Sequence, residues 1–159
     1  MSGEDEVRET LDRALDRAVE EGLAGQPVRV EGPGWTAQID ARQVDRIGVV
    51  VDRLRVSGGE GDLAGRAGAI AETLRPQGER LRPVEVDPAL GGAVLRSRPE
   101  DMQRGRYYQV DLDATGAELS RHRRREGGRD QEPFAVTREE LGRIVEGLGE
   151  AMAPKPTVE

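Results

Sequence analysis

The chain of 159 residues has no cysteine, one histidine and only four aromatic residues. Without cysteine it can form no disulfide, no thiolate nucleophile and no iron–sulfur cluster, and a lone histidine rules out a zinc site with several histidine ligands. Hydrophobic residues make up 35% of the chain, so its core has to be built from Val, Leu, Ile and Ala. We therefore predict a protein without a metal or other cofactor.

Long apolar runs are missing as well. No segment approaches the roughly 18 apolar residues of a membrane span. Met1 to Glu6 is acidic and lacks the basic-then-apolar order of a signal peptide, so we expect a cytoplasmic protein. Lys155 is the one lysine among 24 basic residues. Together with abundant Ala, Gly, Val and Asp, this composition is typical of a GC-rich bacterial genome.

The region before the C-terminal helix has the pattern of a β-hairpin. Apolar and polar residues alternate over 107–112, which is typical of a strand with one buried face. Residues 113–116 begin with Asp and end with Gly, as turns often do, and 118–125 returns as a partner strand with a basic end. The loop that follows, 126–133, is predicted to be flexible from its composition.

An amphipathic helix follows the hairpin. Thr137 and Glu140 form a predicted capping box, in which each side chain satisfies a backbone N–H of the first turn. The helix is predicted over 138–152, and 134–136 is predicted as a short strand just before it. The apolar stripe of the helix consists of Leu141, Ile144, Val145, Leu148 and Met152.

The first part of the chain supplies the remaining elements. Residues 44–56 fit both a helical stripe and a strand of β-branched residues, and we adopt a strand over 47–56. The other predicted elements are a helix over 4–23, strands over 28–31 and 35–41, a helix over 62–75, and strands over 81–86 and 93–98.

These elements predict an α+β fold in one domain, residues 1–152, followed by a disordered tail over 153–159. Long apolar stripes on helices need a surface to bury against, and alternating strands offer one apolar face. We therefore expect a twisted antiparallel sheet of about five to seven strands with amphipathic helices packed on it, in the order α-β-β-β-α-β-β-β-β-α.

One glycine-rich loop matches a loose dinucleotide-binding fingerprint, Gly59-x-Gly61-x-x-Ala64. That motif needs backbone amides that meet a pyrophosphate at a helix N-terminus. Glu60 and Asp62 would put negative charge beside the pyrophosphate. A flexible connector is therefore the preferred interpretation of this loop.

Two pairs of polar residues share a strand face. Ser120 and His122 would bring a hydroxyl near an imidazole, but no orienting acid or oxyanion hole is visible. We predict an exposed histidine whose pKa is lowered by the arginines beside it in the chain. Asp111 and Asp113 could hold Mg²⁺ or Ca²⁺, although polar residues opposite a buried face are normal in an antiparallel sheet.

Arginines around the hairpin are the most suggestive feature. If the strands pair, they form a basic patch on a chain whose formal net charge is −7. That net charge and the lack of a nucleic-acid-binding motif argue against nucleic acid. They favour docking of an acidic protein partner, which could be the acidic first helix of a second copy in a homodimer. The residues of this predicted surface are Arg96, Arg98, Arg104, Arg106, Arg121, Arg123, Arg124 and Arg125.

The order of elements resembles that of type III secretion chaperones. The matching pieces are the three predicted helices, the three strands between residues 28 and 56, and the strands from 81 to 125. The resemblance implies an antiparallel sheet, a homodimer and peptide binding on the partner surface.

The leading hypothesis is a small, non-enzymatic protein-interaction or chaperone-like module that forms a dimer and does not associate with membranes. It would bind through an arginine-containing surface or an exposed sheet edge. The alternative is a small-ligand binder, or an enzyme that acts on an anionic substrate through arginine and carboxylate side chains. A third hypothesis is nucleic-acid binding by the arginine patch. No catalytic residue is assigned.

Overall fold

A computed structural model describes residues 3–22, 26–87, 89–97 and 105–153, and within them it shows the predicted α+β architecture. The helices are α1 (Gly3–Glu20), α2 (Leu63–Thr73) and α3 (Arg138–Met152), and a 3-10 turn covers Pro76–Gly78. The strands are β1 (Val28–Gly32), β2 (Trp35–Val44), β3 (Gly48–Gly58), β4 (Leu81–Asp87), β5 (Gly92–Ser97), β6 (Arg106–Leu112), β7 (Gly116–Arg125), β8 (Gly128–Glu132) and β9 (Phe134–Thr137).

All nine strands belong to one antiparallel sheet, whose main path runs β1-β2-β3-β7-β6-β5-β4. β3 and β7 pair only over Leu54–Ser57 and Gly116–Leu119 and then diverge. The segment 128–137 fills the gap, because β8 pairs with the far end of β7 and β9 pairs with the start of β3. This division explains why the sheet has more strands than the five to seven expected.

Strand β3 covers most of the ambiguous segment 44–56, so the strand interpretation is confirmed. The predicted loop 126–133 is wrong, since 128–132 forms β8. Only Glu126 and Gly127 make the turn, with Gly127 at φ +82. β8 was missed because it has no apolar alternation, and its backbone pairing with β7 is supported by ion pairs between charged side chains.

The first helix also ends earlier than predicted, at Glu20, and Gly22 adopts φ +64 just beyond it. The predicted tail begins with Ala153 after α3, and its residues 154–159 lie outside the described part of the chain. Among the described residues, no helix has both the length and the apolar character needed to cross a membrane.

The helices all lie on one face of the sheet. α1 packs on β1 and β2, α2 on β4 and β5, and α3 lies between them on β2, β3 and β9 while it contacts both other helices. Alternate strand residues face these helices and form one hydrophobic core, in which Ile39, Leu54, Leu119 and Leu148 are fully buried. No helix of the described chain covers the opposite face, which we call the helix-free face.

Arg66 is a buried cation that joins three segments. Its guanidinium donates to the backbone carbonyls of Ala114 and Met152, both at 3.0 Å, and to that of Gly59. Met152 is the last residue of α3, where the exposed carbonyls of a helix favour a positive charge. The glycine-rich loop that matched the dinucleotide fingerprint is therefore attached to α3, and Asp62 caps α2 through Gly65 N–H.

The capping box of α3 is confirmed only in part. Thr137 Oγ1 accepts from Glu140 N–H at 3.0 Å, as predicted. The Glu140 carboxylate instead accepts from the backbone N–H of Gln77 at 2.8 Å. Gln77 has φ +50, and its side chain also bonds Tyr108 Oη and the Ala135 carbonyl. These bonds hold Gln77 in a left-handed backbone conformation, which glycine adopts more readily than other residues.

Candidate functional site

A polar network lies on the helix-free face, where β5, β6, β7 and β8 run side by side. Alternation along β6 turns Tyr107 and Gln109 away from the helices, and antiparallel pairing places His122 opposite Tyr107 and Ser120 opposite Gln109. All four side chains are buried although no helix covers them. Long arginine side chains from the neighbouring strands provide the cover.

Gln109 is the centre of this network. Its Oε1 accepts from Arg96 Nε at 2.9 Å and from Arg129 Nη1 at 2.8 Å, while its Nε2 donates to both carboxylate oxygens of Asp111 at 3.0 Å. Because both arginine bonds end on one oxygen, these two guanidinium nitrogens lie less than about 6 Å apart. Two positive charges thus share a single neutral acceptor.

Positively charged arginine side chains also lie close to the ring of Tyr107. The Cζ atoms of Arg96 and Arg124 lie 5.6 Å and 5.8 Å from its centroid, within reach of a cation–π interaction. Arg129 Nη1 donates to the Tyr107 hydroxyl at 3.3 Å. We call Arg96, Arg124 and Arg129 the arginine cluster. In the described part of the chain none of the three has a carboxylate within 4 Å.

His122 lies under this cluster. Its ring stacks on Tyr107 with centroids 5.6 Å apart, and its side chain is buried, which corrects the prediction of an exposed histidine. Burial lowers the pKa of His122, and the positive charges of Arg129 and Arg96 lower it further against the opposing Asp111 carboxylate. The predicted direction of the pKa shift is therefore confirmed, but its causes are burial and cross-strand arginines.

Ser120 and His122 do make the predicted contact, with Ser120 Oγ 2.8 Å from His122 Nε2. The arrangement lacks the remaining parts of a catalytic triad. His122 Nδ1 has no hydrogen-bond partner among the described residues, so no carboxylate orients the ring there. Ser120 is only 3% exposed, which keeps its hydroxyl from a substrate in solution. The pair is best described as part of the buried polar network.

Six members of the predicted arginine surface do not join the cluster, because alternation turns them away or the described residues do not include them. Arg121 lies on the helix-bearing face, 4.5 Å above the Tyr108 ring and 3.4 Å from a Glu79 carboxylate oxygen. Arg98 and Arg104 lie outside the described residues.

The other three members outside the cluster are paired with acids of β8. Arg106 and Arg123 lie 3.1 Å and 4.0 Å from the Glu132 carboxylate. Arg125 lies 2.8 Å from Asp130. Of the eight residues of the predicted surface, the structure therefore brings together Arg96 and Arg124, and the rest are neutralised locally or not described.

Arg129 is the member of the cluster that sequence reasoning missed, because it lay in the predicted flexible loop. Pairing of β7 with β8 places it opposite Arg124 on the helix-free face. A signal for this hairpin was present in the sequence. The basic run at the end of β7 is followed, after the turn at Glu126 and Gly127, by acids at alternate positions 130 and 132 that match the preceding arginines.

The predicted carboxylate pair does not converge on a shared point. Asp111 is held by Gln109, whereas Asp113 lies in the turn after β6 and accepts from Thr115 N–H, Gly116 N–H and Arg55. Burial alone would raise the pKa of Asp113, but these hydrogen bonds lower it overall. Within the described ranges, no three His, Cys, Asp or Glu side chains are grouped so that they could hold a metal ion.

Comparisons of the chain with known protein families, curated proteins and solved structures found no match. The function of the helix-free face is therefore inferred from its own chemistry.

Proposed function

We propose that this chain is a non-enzymatic binding module that docks an acidic segment of a partner protein on its helix-free face. One observation carries the proposal. Arg96, Arg124 and Arg129 converge around Tyr107 without a carboxylate within 4 Å in the described chain, although the chain as a whole carries a formal net charge of −7. Guanidinium groups held close together favour an external anion between them.

Other arginines on the helix-free face are paired with acids, which allows a comparison with the arginine cluster. Arg53 lies 3.2 Å from Asp40, and Arg55 lies 3.0 Å from Asp113. Acids are thus available to arginines a few strands away, and the arginine cluster stands out because its charges have none within 4 Å among the described residues. A protein surface with one uncompensated positive patch attracts negatively charged partners.

The surface beside the cluster offers room for a chain segment. An open depression of about 730 Å³ is lined by residues of β7 and β8 together with Arg42 and Pro133, and its lining holds four arginines and two acids. A second depression of about 550 Å³ continues from Gln131 towards Asp40 and Arg53 on β2 and β3. An extended segment anchored at the cluster could lie along this surface.

The acidic helix of a second copy is a poor occupant of this surface. α1 lies on the opposite, helix-bearing face, so its contact with a neighbour's cluster would be heterologous and would build a ring or a filament of copies instead of a two-fold dimer. Asp12 and Asp16 of α1 are also already engaged by Arg138, at 3.8 Å and 2.6 Å. We therefore propose a different protein as the partner. Homodimerisation through another surface stays a prediction, which light scattering during size-exclusion chromatography tests.

The test is fluorescence anisotropy with a labelled glutamate-rich peptide at low salt. We expect binding that weakens as salt is added, because exposed charges are screened. A variant with Arg96→Gln, Arg124→Gln and Arg129→Gln should lose at least roughly tenfold in affinity, since each guanidinium contributes charge-assisted hydrogen bonds.

The matched control is Arg13→Gln, Arg55→Gln and Arg143→Gln, which removes the same charge from arginines already paired with Glu9, Asp113 and Glu140. This variant should bind the peptide within about threefold of the wild type. Equal losses in both variants, or no binding by the wild type, would overturn the proposal. Tighter binding of a DNA or RNA oligonucleotide than of the peptide would also overturn it, in favour of the nucleic-acid hypothesis.

A further inference from the structure

We infer that the arginine cluster is a phosphate site, so that the partner segment is recognised through a phosphorylated side chain. The inference rests on the proposed function and names the group that the docked segment presents. It depends on three features of the network around Tyr107: how closely two guanidinium groups approach, how much charge is left over, and which polar atoms lack a partner.

The first feature is the convergence of Arg96 and Arg129. Both donate to the single Oε1 of Gln109, at 2.9 Å and 2.8 Å, which holds two positive charges close together on a neutral acceptor. Such proximity is unfavourable unless an anion lies between the groups. Each guanidinium has further N–H groups beyond the one that Gln109 accepts, and these remain available to acceptor oxygens of a ligand.

The second feature is the amount of uncompensated charge. Asp111 is the one acid in this network, and it reaches the arginines only through Gln109 Nε2, with both oxygens at 3.0 Å. Three guanidinium charges and one carboxylate leave two positive charges without compensation. A phosphorylated side chain carries about −1.5 to −2 charges at pH 7 and three acceptor oxygens, whereas one carboxylate carries a single charge and two oxygens. The phosphate is the better match.

The third feature is a polar atom without a partner in the aromatic base of the site. Tyr107 lies beneath Arg96 and Arg124 and is stacked on His122, so the arginines are held over rigid rings. His122 is only 8% exposed, and its Nδ1 has no partner among the described residues. A buried polar atom without a partner beside uncompensated charges indicates a surface whose hydrogen bonding is incomplete until a ligand binds.

The test uses three labelled peptides with the same neutral glycine–serine background and, at the central position, phosphoserine, glutamate or serine. Anisotropy should give an affinity for the phosphoserine peptide at least roughly tenfold tighter than for the glutamate peptide, because of its greater charge and additional oxygen. The serine peptide should not bind measurably. These comparisons use the wild-type chain and do not depend on the folding of any variant.

Variants then locate the site. Arg96→Gln and Arg129→Gln should each weaken binding of the phosphoserine peptide by about tenfold. Arg129→Lys should recover only part of the loss, since lysine keeps the charge without the planar fork. Arg55→Gln removes an arginine of the same face that is paired with Asp113, and it should change the affinity by less than about twofold.

The outcomes separate this inference from the function it rests on. Equal affinities for the phosphoserine and glutamate peptides would overturn the phosphate site and leave the acidic docking surface intact. Failure of both these peptides and of the glutamate-rich peptide would overturn both proposals. Inorganic phosphate that displaced the labelled peptide with the same affinity as the unlabelled phosphopeptide would overturn recognition of a phosphorylated protein segment, since the site would then hold free phosphate alone.

Discussion

The two faces of the sheet bury neighbouring residues of the same strand by different means. On the helix-bearing face, Val110 and Leu119 are fully buried beneath the helices. On the helix-free face, the adjacent Gln109 and Ser120 are each only 3% exposed, yet their cover consists of arginine side chains and a histidine. Low exposure therefore does not distinguish a hydrophobic core from a polar site covered by flexible charged groups.

The two faces also differ in whether the positive charge of their arginines is compensated by an acid. Arg121 on the helix-bearing face lies over Tyr108 and pairs with Glu79, so its charge is compensated within the fold. Arg96 and Arg129 on the helix-free face instead share the neutral Gln109. The first arrangement compensates the positive charge of Arg121, and the second leaves two positive charges on one neutral acceptor.

The largest expected difference between the faces is in stability. Leu119→Ala should lower the free energy of unfolding by about 2–5 kcal/mol, because it leaves a cavity beneath the helices. Ser120→Ala, at the next residue of β7, should cost only about 1 kcal/mol for the lost hydrogen bond to His122. Urea denaturation followed by the fluorescence of Trp35, the single tryptophan, measures both. Equal losses would mean that the two faces contribute alike to stability.

A second prediction concerns how closely α3 lies on the sheet. A Cβ added at Gly149 would come within 2.3 Å of the Trp35 ring, so Gly149→Ala should destabilise the fold by about 1–3 kcal/mol. Gly68→Ala in α2 meets nothing within 4 Å and should stabilise by up to about 1 kcal/mol through helix propensity. Thermal unfolding of the two variants checks the contrast. If Gly149→Ala stabilised the protein instead, α3 would have to lie farther from the Trp35 ring.

The smallest expected effect is a dependence of stability on pH, which is caused by His122 on the helix-free face. Burial, together with Arg129, lowers the pKa of His122 in the folded protein below its ordinary value. As pH falls below about 6.5, the unfolded chain takes up this proton first, so stability should decrease towards lower pH until the folded-state pKa is reached. Urea midpoints at pH values on either side of 6.5 measure the decrease.

His122→Gln provides the control, because His122 is the one histidine of the chain. Carboxylates with lowered pKa values, such as Asp45 and Asp113, also make stability fall with pH, but they do so in a more acidic range. The variant should therefore have a nearly flat stability between neutral and mildly acidic pH. An unchanged slope in His122→Gln would assign the pH dependence to other groups.

Much of the fold was predictable because its signals are local. The alternation over 107–112 identified β6 and its buried face, and the Thr137 cap located the start of α3. The strand β8 could not be identified in the same way, since its side chains are charged on both faces. Its stability depends on backbone pairing with β7 and on cross-strand ion pairs, which local periodicity does not report.

The candidate site was predictable in part. The contact between Ser120 and His122 followed from period 2 along one strand. The members of the arginine cluster could not be predicted from the sequence, because they depend on which arginines lie close to an acid on another strand. Arg55 and Asp113 are 58 residues apart, and Arg121 and Glu79 are 42 residues apart.

By itself, the sequence determined the order of the helices and of the strands other than β8, and the face of those strands that turns towards the helices, because backbone geometry sets both periods locally. The tertiary structure decided that 128–132 pairs with β7 and that 134–137 pairs with β3. The register of this pairing in turn decides which arginines lie close enough to an acid to have their charge compensated. Charge compensation depends on distances between residues far apart in the chain, and only the folded register sets those distances.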